Sequence, residues 1–375
     1  MINRTLKAII ENKIDSGKAI IVSGARQTGK TTLVKQFLKE DKYNGIYLNA
    51  DDPIVAEQLS NANTQSLKRI IGTAKLVIID EAQRVKNIGI RLKLIVDTMP
   101  GTQLLVTGSS ALELADEMNE PLTGRKWEYN MFTISWKELC DYSGVLQANQ
   151  DLENRLIYGM YPEVIVHHSE ERERLMNLSQ SYLYKDVLSL GKIRKPELLQ
   201  KLLKALALQL GNEVSYNELS LHLQIDKNTV INYIDLLEKT FVVFRLASFS
   251  RNARNEIVTG RKIYFYDNGI RNALIANFSP LALRNDTGAL WENFLITERM
   301  KVNQYKLKWA NQYFWRTKTQ QEIDYIEEAD GKILAVEFKW KNYRNTKVPK
   351  SFAEAYTDAT FKVVTKENFE NFLLE

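Results

Sequence analysis

The stretch Ala19-Ile20-Ile21-Val22-Ser23-Gly24-Ala25-Arg26-Gln27-Thr28-Gly29-Lys30-Thr31-Thr32 decides the fold. Ala19–Ser23 is a short apolar run of strand length, and Thr31–Glu40 carries a helical pattern. Between them, Gly24–Thr31 fits G-x-x-x-x-G-K-[ST] at every position. A strand, a glycine-rich loop and a helix in that order converge backbone N–H groups and the positive end of a helix dipole on one point, which suits a phosphate. Lys30 is placed to reach the β- and γ-phosphates, and the Thr31 hydroxyl to ligate Mg²⁺. Gly24, Ala25, Arg26, Gln27, Thr28, Gly29, Lys30, Thr31 and Thr32 are therefore the expected nucleotide-binding residues, with ATP and Mg²⁺ as cofactors. The rival reading, a chance Gly-Lys-Thr loop, does not account for a strand and a helix on its two sides.

Outward from this loop, strand patterns recur at Gly45–Leu48, Leu76–Asp80, Gln103–Thr107 and Trp127–Ile134, mostly separated by helical patterns. Strand–helix alternation implies a parallel sheet covered on both faces. Lys75-Leu76-Val77-Ile78-Ile79-Asp80-Glu81 is an apolar strand that ends in two carboxylates. The C-terminal end of such a strand is where open α/β sheets bind ligands. Asp80 is thus expected to hold Mg²⁺ together with Thr31, and Glu81 to polarise the attacking water. A strand stop with a solvated acidic pair is the plainer alternative.

Composition bounds the rest. The chain has 375 residues, with 51 Lys plus Arg against 46 Asp plus Glu, a net charge of +5 that permits nucleic-acid binding without arguing for it. Only 17 Gly and 7 Pro exclude a collagen-like chain or a long low-complexity linker. One cysteine, Cys140, excludes a disulfide framework and a paired-cysteine zinc site. Neither a membrane-spanning run nor a signal peptide is visible, so a soluble cytoplasmic protein is expected.

The strand pattern gives way near Asp151 to helices interrupted around Gly159-Met160-Tyr161-Pro162. Ser215–Leu223 and Asp226–Lys239 then read as a helix-turn-helix, with Asp226 as N-cap of the second helix, followed by strands Phe241–Ala247 and Lys262–Tyr266 as in a winged helix. If the second helix enters a major groove, Lys227, Asn228 and Asn232 are the readers, whereas Asp235 and Glu238 would face phosphates badly. Arg251, Arg254, Arg261 and Lys262 form a basic segment suited to phosphates. A winged helix used only for packing or protein contact is equally compatible.

Near the C-terminus, Asp330-Gly331 is a two-residue hairpin signal between strands Gln320–Glu328 and Lys332–Lys339. With Ala329 opposite Lys332, facing residues place Asp324 against Glu337 and Glu322 against Lys339, all on one face. Facing carboxylates repel unless a cation sits between them. Asp324 and Glu337 are therefore a candidate second metal site, with Glu292 and Lys339 beside it. Aspartate followed by Glu-x-Lys on the next strand resembles the active-site pattern of restriction-endonuclease-like folds, in which the carboxylates hold Mg²⁺ and the lysine positions the attacking water; the resemblance implies the fold more than nuclease activity. A wet hairpin with a Glu322–Lys339 salt bridge is the alternative.

Gly24–Thr31, Asp80-Glu81-Ala82-Gln83-Arg84, Thr107-Gly108-Ser109-Ser110 and Leu122-Thr123-Gly124-Arg125 together resemble a group of prokaryotic AAA-superfamily ATPases with a C-terminal domain of unknown function. Gly159–Val164, Tyr184-Lys185-Asp186, Tyr264–Gly269, Leu290–Phe294 and Glu322–Lys339 extend the resemblance over nearly the whole chain. It implies an AAA-type core that hydrolyses ATP. It also implies a sensor after the fourth strand, Ser109 first and Thr107 second, and a catalytic arginine, Arg125, which in that class often reaches a neighbour's γ-phosphate and so implies a homo-oligomer. The plainer readings are a helix cap for Ser109 and a helix C-terminal cation for Arg125.

The expected architecture is thus α/β: a phosphate-loop NTPase core at 1–145, a helical connector at 146–205, a winged helix at 206–285 and a small restriction-endonuclease-like domain at 286–375. The expected function is a Mg²⁺-dependent ATPase coupled to DNA binding or processing. The alternative is a nucleotide-controlled switch for a protein partner, with a degenerate nuclease-like domain.

Overall fold

The structure, a computed structural model, describes residues 1–39, 43–108, 121–189, 195–250, 260–341 and 346–374, with the backbone alone at 181–189. It divides into two compact units, Met1–Ile134 with Lys239–Phe241, and Ser135–Glu238 with Val242–Glu375.

The first unit is built on five parallel strands: β1 (Ala19–Ser23), β2 (Gly45–Asn49), β3 (Leu76–Asp80), β4 (Gln103–Gly108) and β5 (Lys126–Asn130). Their order across the sheet is β2-β3-β4-β1-β5, and every pairing is parallel. β3 and β4 are buried along their whole length, whereas the edge strands β2 and β5 are mostly half-exposed. Helices such as Lys30–Leu38 and Ile88–Thr98 cover the sheet, as continuous apolar runs in a parallel sheet require. Leu67, Val77, Ile79, Leu92, Leu104 and Val106 pack into one core on one side of it. This is the expected α/β fold. β5 ends at Asn130, earlier than the apolar run to Ile134 implies.

The second unit opens with helices, among them Val145–Tyr158 and Pro162–Val166, which break where Gly159-Met160-Tyr161 breaks the pattern. Helices Tyr216–Leu223 and Lys227–Lys239 follow, the second capped by Asp226, whose Oδ1 accepts from the Thr229 N–H at 2.9 Å. A six-stranded mixed sheet completes the unit: β6 (Val243–Ser248), β7 (Arg261–Phe265), β8 (Asn311–Arg316), β9 (Glu322–Ala329), β10 (Lys332–Phe338) and β11 (Thr360–Val364). Its order is β11-β10-β9-β8-β6-β7. The hairpin expected of the wing (β6–β7) therefore joins the C-terminal strands, through the parallel pairs Ala247–Tyr313 and Ser248–Phe314, and one sheet crosses the boundary placed at 285/286. Helix Thr287–Tyr305 packs against this sheet, touching β7 and β10.

Candidate functional site

Gly24 and Gly29 are required by the shape of the phosphate loop. A Cβ on Gly24 would lie 2.3 Å from the Met131 carbonyl oxygen. Gly29 precedes helix Lys30–Leu38 at φ 96°, a left-handed conformation that favours glycine. Inside the loop, the Lys30 ammonium donates to the carbonyls of Gly24 and Ala25, at 2.8 Å each. The Thr28 hydroxyl donates to the Ala25 carbonyl at 2.8 Å. Lys30 and Thr28 are buried and Thr32 is exposed. Arg4, near the chain start, holds the loop from below: its guanidinium donates to the carbonyls of Thr28 (2.6 Å) and Phe132 (2.7 Å).

Parallel pairing of β3 with β1's neighbour β4 brings Asp80 to this loop. The Thr31 hydroxyl donates to Asp80 Oδ2 at 2.7 Å, and the Tyr47 hydroxyl donates to the same oxygen at 2.6 Å. The Thr107 hydroxyl donates to the other oxygen, Oδ1. Burial, then the Asp80 hydrogen bond, pushes the Tyr47 hydroxyl pKa well above its usual value, so Tyr47 remains a donor. Glu81 takes a left-handed backbone conformation at φ 54°, and its N–H donates to Thr107 Oγ1 at 3.3 Å. The Gln83 amide donates to Glu81 Oε2 at 2.5 Å. A hydroxyl and a buried carboxylate in contact at the head of a helix fit a hydrated Mg²⁺; Thr31 and Asp80 would hold it. The ion would supply charge neutralisation at the phosphates.

Of the expected sensor residues, Thr107 joins this cluster, and Ser109 lies outside the described residues. Arg125 is placed elsewhere. It precedes β5, and its carbonyl accepts from the Ala19 N–H at the N-terminal edge of the sheet, whereas the phosphate loop follows the C-terminal end of β1. The length of β1, roughly 15 Å, separates the two. Arg125 thus lies at the opposite end of β1 from the phosphate loop, and its guanidinium pairs with Asp97 at 2.7 Å. Tyr47 and Arg4 have no recognisable spacing in the sequence, since each meets the site only through the fold; Gln83 lies in the quoted Asp80–Arg84 stretch, but nothing in that spacing gives it a role.

In the second unit, the expected hairpin register holds: Ala329 faces Lys332 and Tyr325 faces Val336. Asp330 and Gly331 have φ of 51° and 75°, as a type I′ turn demands. The paired register ends at Tyr325 and Val336, one step short of Asp324 and Glu337, and the Phe338 N–H donates to Asp324 Oδ2 at 2.8 Å. Glu292 on helix Thr287–Tyr305 is brought to the same place. Burial, then Glu292 and Glu337, raises the Asp324 carboxyl well above the usual range.

The ion pairs differ from those expected. Lys339 pairs with Glu337 at 2.5 Å, not with Glu322. Glu322 pairs with Lys262, which also meets Glu292 at 3.1 Å. Lys262, expected among phosphate contacts, is only 1% exposed, because it lies on β7, an edge strand covered by helix Thr287–Tyr305, and not in a solvated loop. Among the described residues no three His, Cys, Asp or Glu side chains are arranged to hold a metal ion. Asp324, Glu337 and Glu292 are thus in no such group.

On the helix-turn-helix, Lys227, Asn228 and Asn232 are exposed. Asp235 and Glu238 share one partner, Arg245, so about half of the acidic charge that would repel phosphates is offset within the unit. Lys227, Arg245 and Arg261 line an open groove of about 610 Å³, with Arg261 stacked on the Tyr216 ring at 5.6 Å. Arg251 and Arg254 lie outside the described residues. No described helix is long and apolar enough to cross a membrane.

Comparison with known proteins agrees with the first unit. Residues 16–140 match the family described as an AAA domain, and residues 149–281 and 287–372 match two domains of unknown function. An uncharacterized protein of Mycobacterium tuberculosis is 26% identical over 345 residues, covering 90% of this chain and 73% of its own. One from Methanocaldococcus jannaschii is 23% identical over 399 residues, covering 98% and 86%. A DNA polymerase III gamma subunit-related protein from Thermotoga maritima aligns in structure over 79% of this chain and 98% of its own, at 13% identity and a TM-score of 0.29, a likeness too loose to bear on function. The chain carries an AAA domain at its N-terminus and a domain of unknown function at its C-terminus.

Proposed function

We propose that the AAA domain of this chain is a Mg²⁺-dependent ATPase. The observation that carries the reading is the convergence of Lys30, Thr31, Asp80 and Glu81 at the mouth of one phosphate loop, with Asp80 bonded to Thr31. Lys30 would swing from the Gly24 and Ala25 carbonyls to the β- and γ-phosphates. Thr31 and Asp80 would hold the ion, and Glu81 would take the proton of the attacking water, oriented by Gln83. The test is phosphate release with Mg²⁺ and ATP. Lys30→Ala should lose nucleotide binding, and Glu81→Gln should bind but not turn over. Nucleotide binding without hydrolysis by the native chain would leave only a nucleotide-controlled switch.

A second reading concerns DNA. Exposed Lys227, Asn228 and Asn232, with the charge of Asp235 and Glu238 partly offset by Arg245, support duplex binding through helix Lys227–Lys239. Replacing Lys227 and Arg261 with alanine should weaken duplex binding and flatten its log–log salt slope by roughly 0.9 for each phosphate no longer neutralised. A native chain that binds no duplex at low salt would favour a protein partner.

A further inference from the structure

The C-terminal carboxylate cluster has every acid already engaged by the protein itself. Glu292 Oε1 meets the Lys262 ammonium at 3.1 Å and also accepts from the Tyr264 hydroxyl. Glu322 is shared between Lys262 and Arg316, the latter at 3.5 Å. Glu337 is paired with Lys339, and Asp324 accepts the Phe338 N–H. Lys262 and Tyr264 alternate on β7 and so project from one face. The ammonium also lies 5.5 Å from the centre of the Phe314 ring, so an aromatic face and two carboxylates enclose it. Two ammonium groups and the Arg316 guanidinium thus stand among four carboxylates, and burial with its acidic neighbours pushes the fourth, Asp324, toward its neutral form.

A hard divalent cation binds carboxylate oxygens at about 2.0–2.6 Å. One bound to either oxygen of Glu292 would sit within a few ångströms of the Lys262 charge on Oε1. A buried lysine held by two carboxylates does not leave readily, because its departure would strand both acids.

We infer that Lys262 is the resident cation of this cluster: its ammonium takes the place of a divalent metal among Glu292, Glu322 and Asp324, and the C-terminal domain binds no metal there. The nuclease-like hairpin is then a charge-satisfied structural element, and any contact this domain makes with a partner is metal-independent. The inference stands apart from the ATPase reading, since it concerns residues of the other unit.

The test uses the full chain without nucleotide and Mn²⁺ as the probe, read by electron paramagnetic resonance of free Mn²⁺ and by thermal melting. Mn²⁺ held at Thr31 and Asp80 is a common background, so each comparison is made against Asp324→Asn. In the native chain, bound Mn²⁺ and the Mn²⁺-induced melting shift should not change on Asp324→Asn. Lys262→Gln should gain bound Mn²⁺ and a rise of several degrees with the ion, since a ligand of the folded state alone stabilises it. Adding Asp324→Asn should abolish that gain. Loss of Mn²⁺ binding in Asp324→Asn relative to the native chain would overturn the inference. So would a folded Lys262→Gln chain that binds no more Mn²⁺ than the native one. Should Lys262→Gln not fold, the native and Asp324→Asn comparison decides alone.

Discussion

Tyr47 and Thr31 donate to the same oxygen of Asp80, at 2.6 and 2.7 Å, so an edge strand of the sheet and the head of the first covering helix meet on one carboxylate. Thr107 holds the other oxygen. The carboxylate is thereby fixed in orientation before any ion arrives, and outer partners of this kind tune metal affinity. Tyr47→Phe should therefore raise the Mg²⁺ concentration needed for tight nucleotide binding by roughly tenfold, while metal-free nucleotide affinity stays unchanged. Titrating Mg²⁺ into the chain with a fluorescent ATP analogue checks this. An unchanged Mg²⁺ midpoint would reduce Tyr47 to a packing residue.

Gln83 reaches back two residues to Glu81, whose left-handed backbone turns its side chain out of the strand direction. If Glu81 is the general base, Glu81→Gln should lower kcat by about 10²–10⁴-fold. Gln83→Ala removes one hydrogen bond to that carboxylate and should cost about 1 kcal/mol, a five- to tenfold fall in kcat with KM unchanged. A KM effect of the same size, with kcat intact, would place Gln83 in nucleotide binding instead.

Much of this site is legible without the fold, and the reason is locality. The phosphate loop, Asp80-Glu81 and the Asp330-Gly331 hairpin are each specified within a dozen residues, by turn chemistry and strand period. Tyr47 is not legible: a tyrosine in a strand reads as β propensity, and its role depends on β2 lying beside β3. Lys262 misleads because its neighbours Arg251, Arg254 and Arg261 suggest a solvated basic loop. Its burial follows from the parallel pairing of β6 with β8, across more than 60 residues, which leaves no periodic signal in either strand. Arg125 stands out by its place before β5, but only the sheet shows that this place is the far edge from the phosphate loop.

Arg125 is therefore expected to act between chains or not at all. Arg125→Ala should bind ATP like the native chain, since its own loop lies a strand's length away. If it serves a neighbour, the native ATPase rate per chain should rise with protein concentration, and Arg125→Ala should stay low at every concentration. Mixing Arg125→Ala with Lys30→Ala should then restore part of the rate, each chain supplying what the other lacks. Sedimentation alongside the rate series checks it: a monomer whose specific activity is flat and insensitive to Arg125→Ala leaves only the Asp97 ion pair as its role.

The second unit should respond to acid through Glu327. This carboxylate is buried on β9, which by itself would raise its pKa. The Arg299 guanidinium, bound to it through both oxygens at 2.8 Å, outweighs that, with Asn303 and Lys308 adding to it, and lowers it from 4.5 to about 2. A carboxyl whose folded value is depressed contributes stability that is fully present above its unfolded value and lost as pH falls toward the folded one. Between pH 4.5 and pH 2 the unit should therefore lose about 3 kcal/mol from this group. Glu327→Gln should be less stable at pH 7, because buried Arg299 loses the carboxylate that binds it through both oxygens, and should show a shallower loss over that window. Urea unfolding followed by tryptophan fluorescence at a series of pH values measures both. A Glu327→Gln curve parallel to the native one through pH 4.5–2 would assign the acid sensitivity elsewhere, with Asp286 next in line, since its carboxyl is also lowered to about 2, burial being outweighed by Arg284 and Arg271.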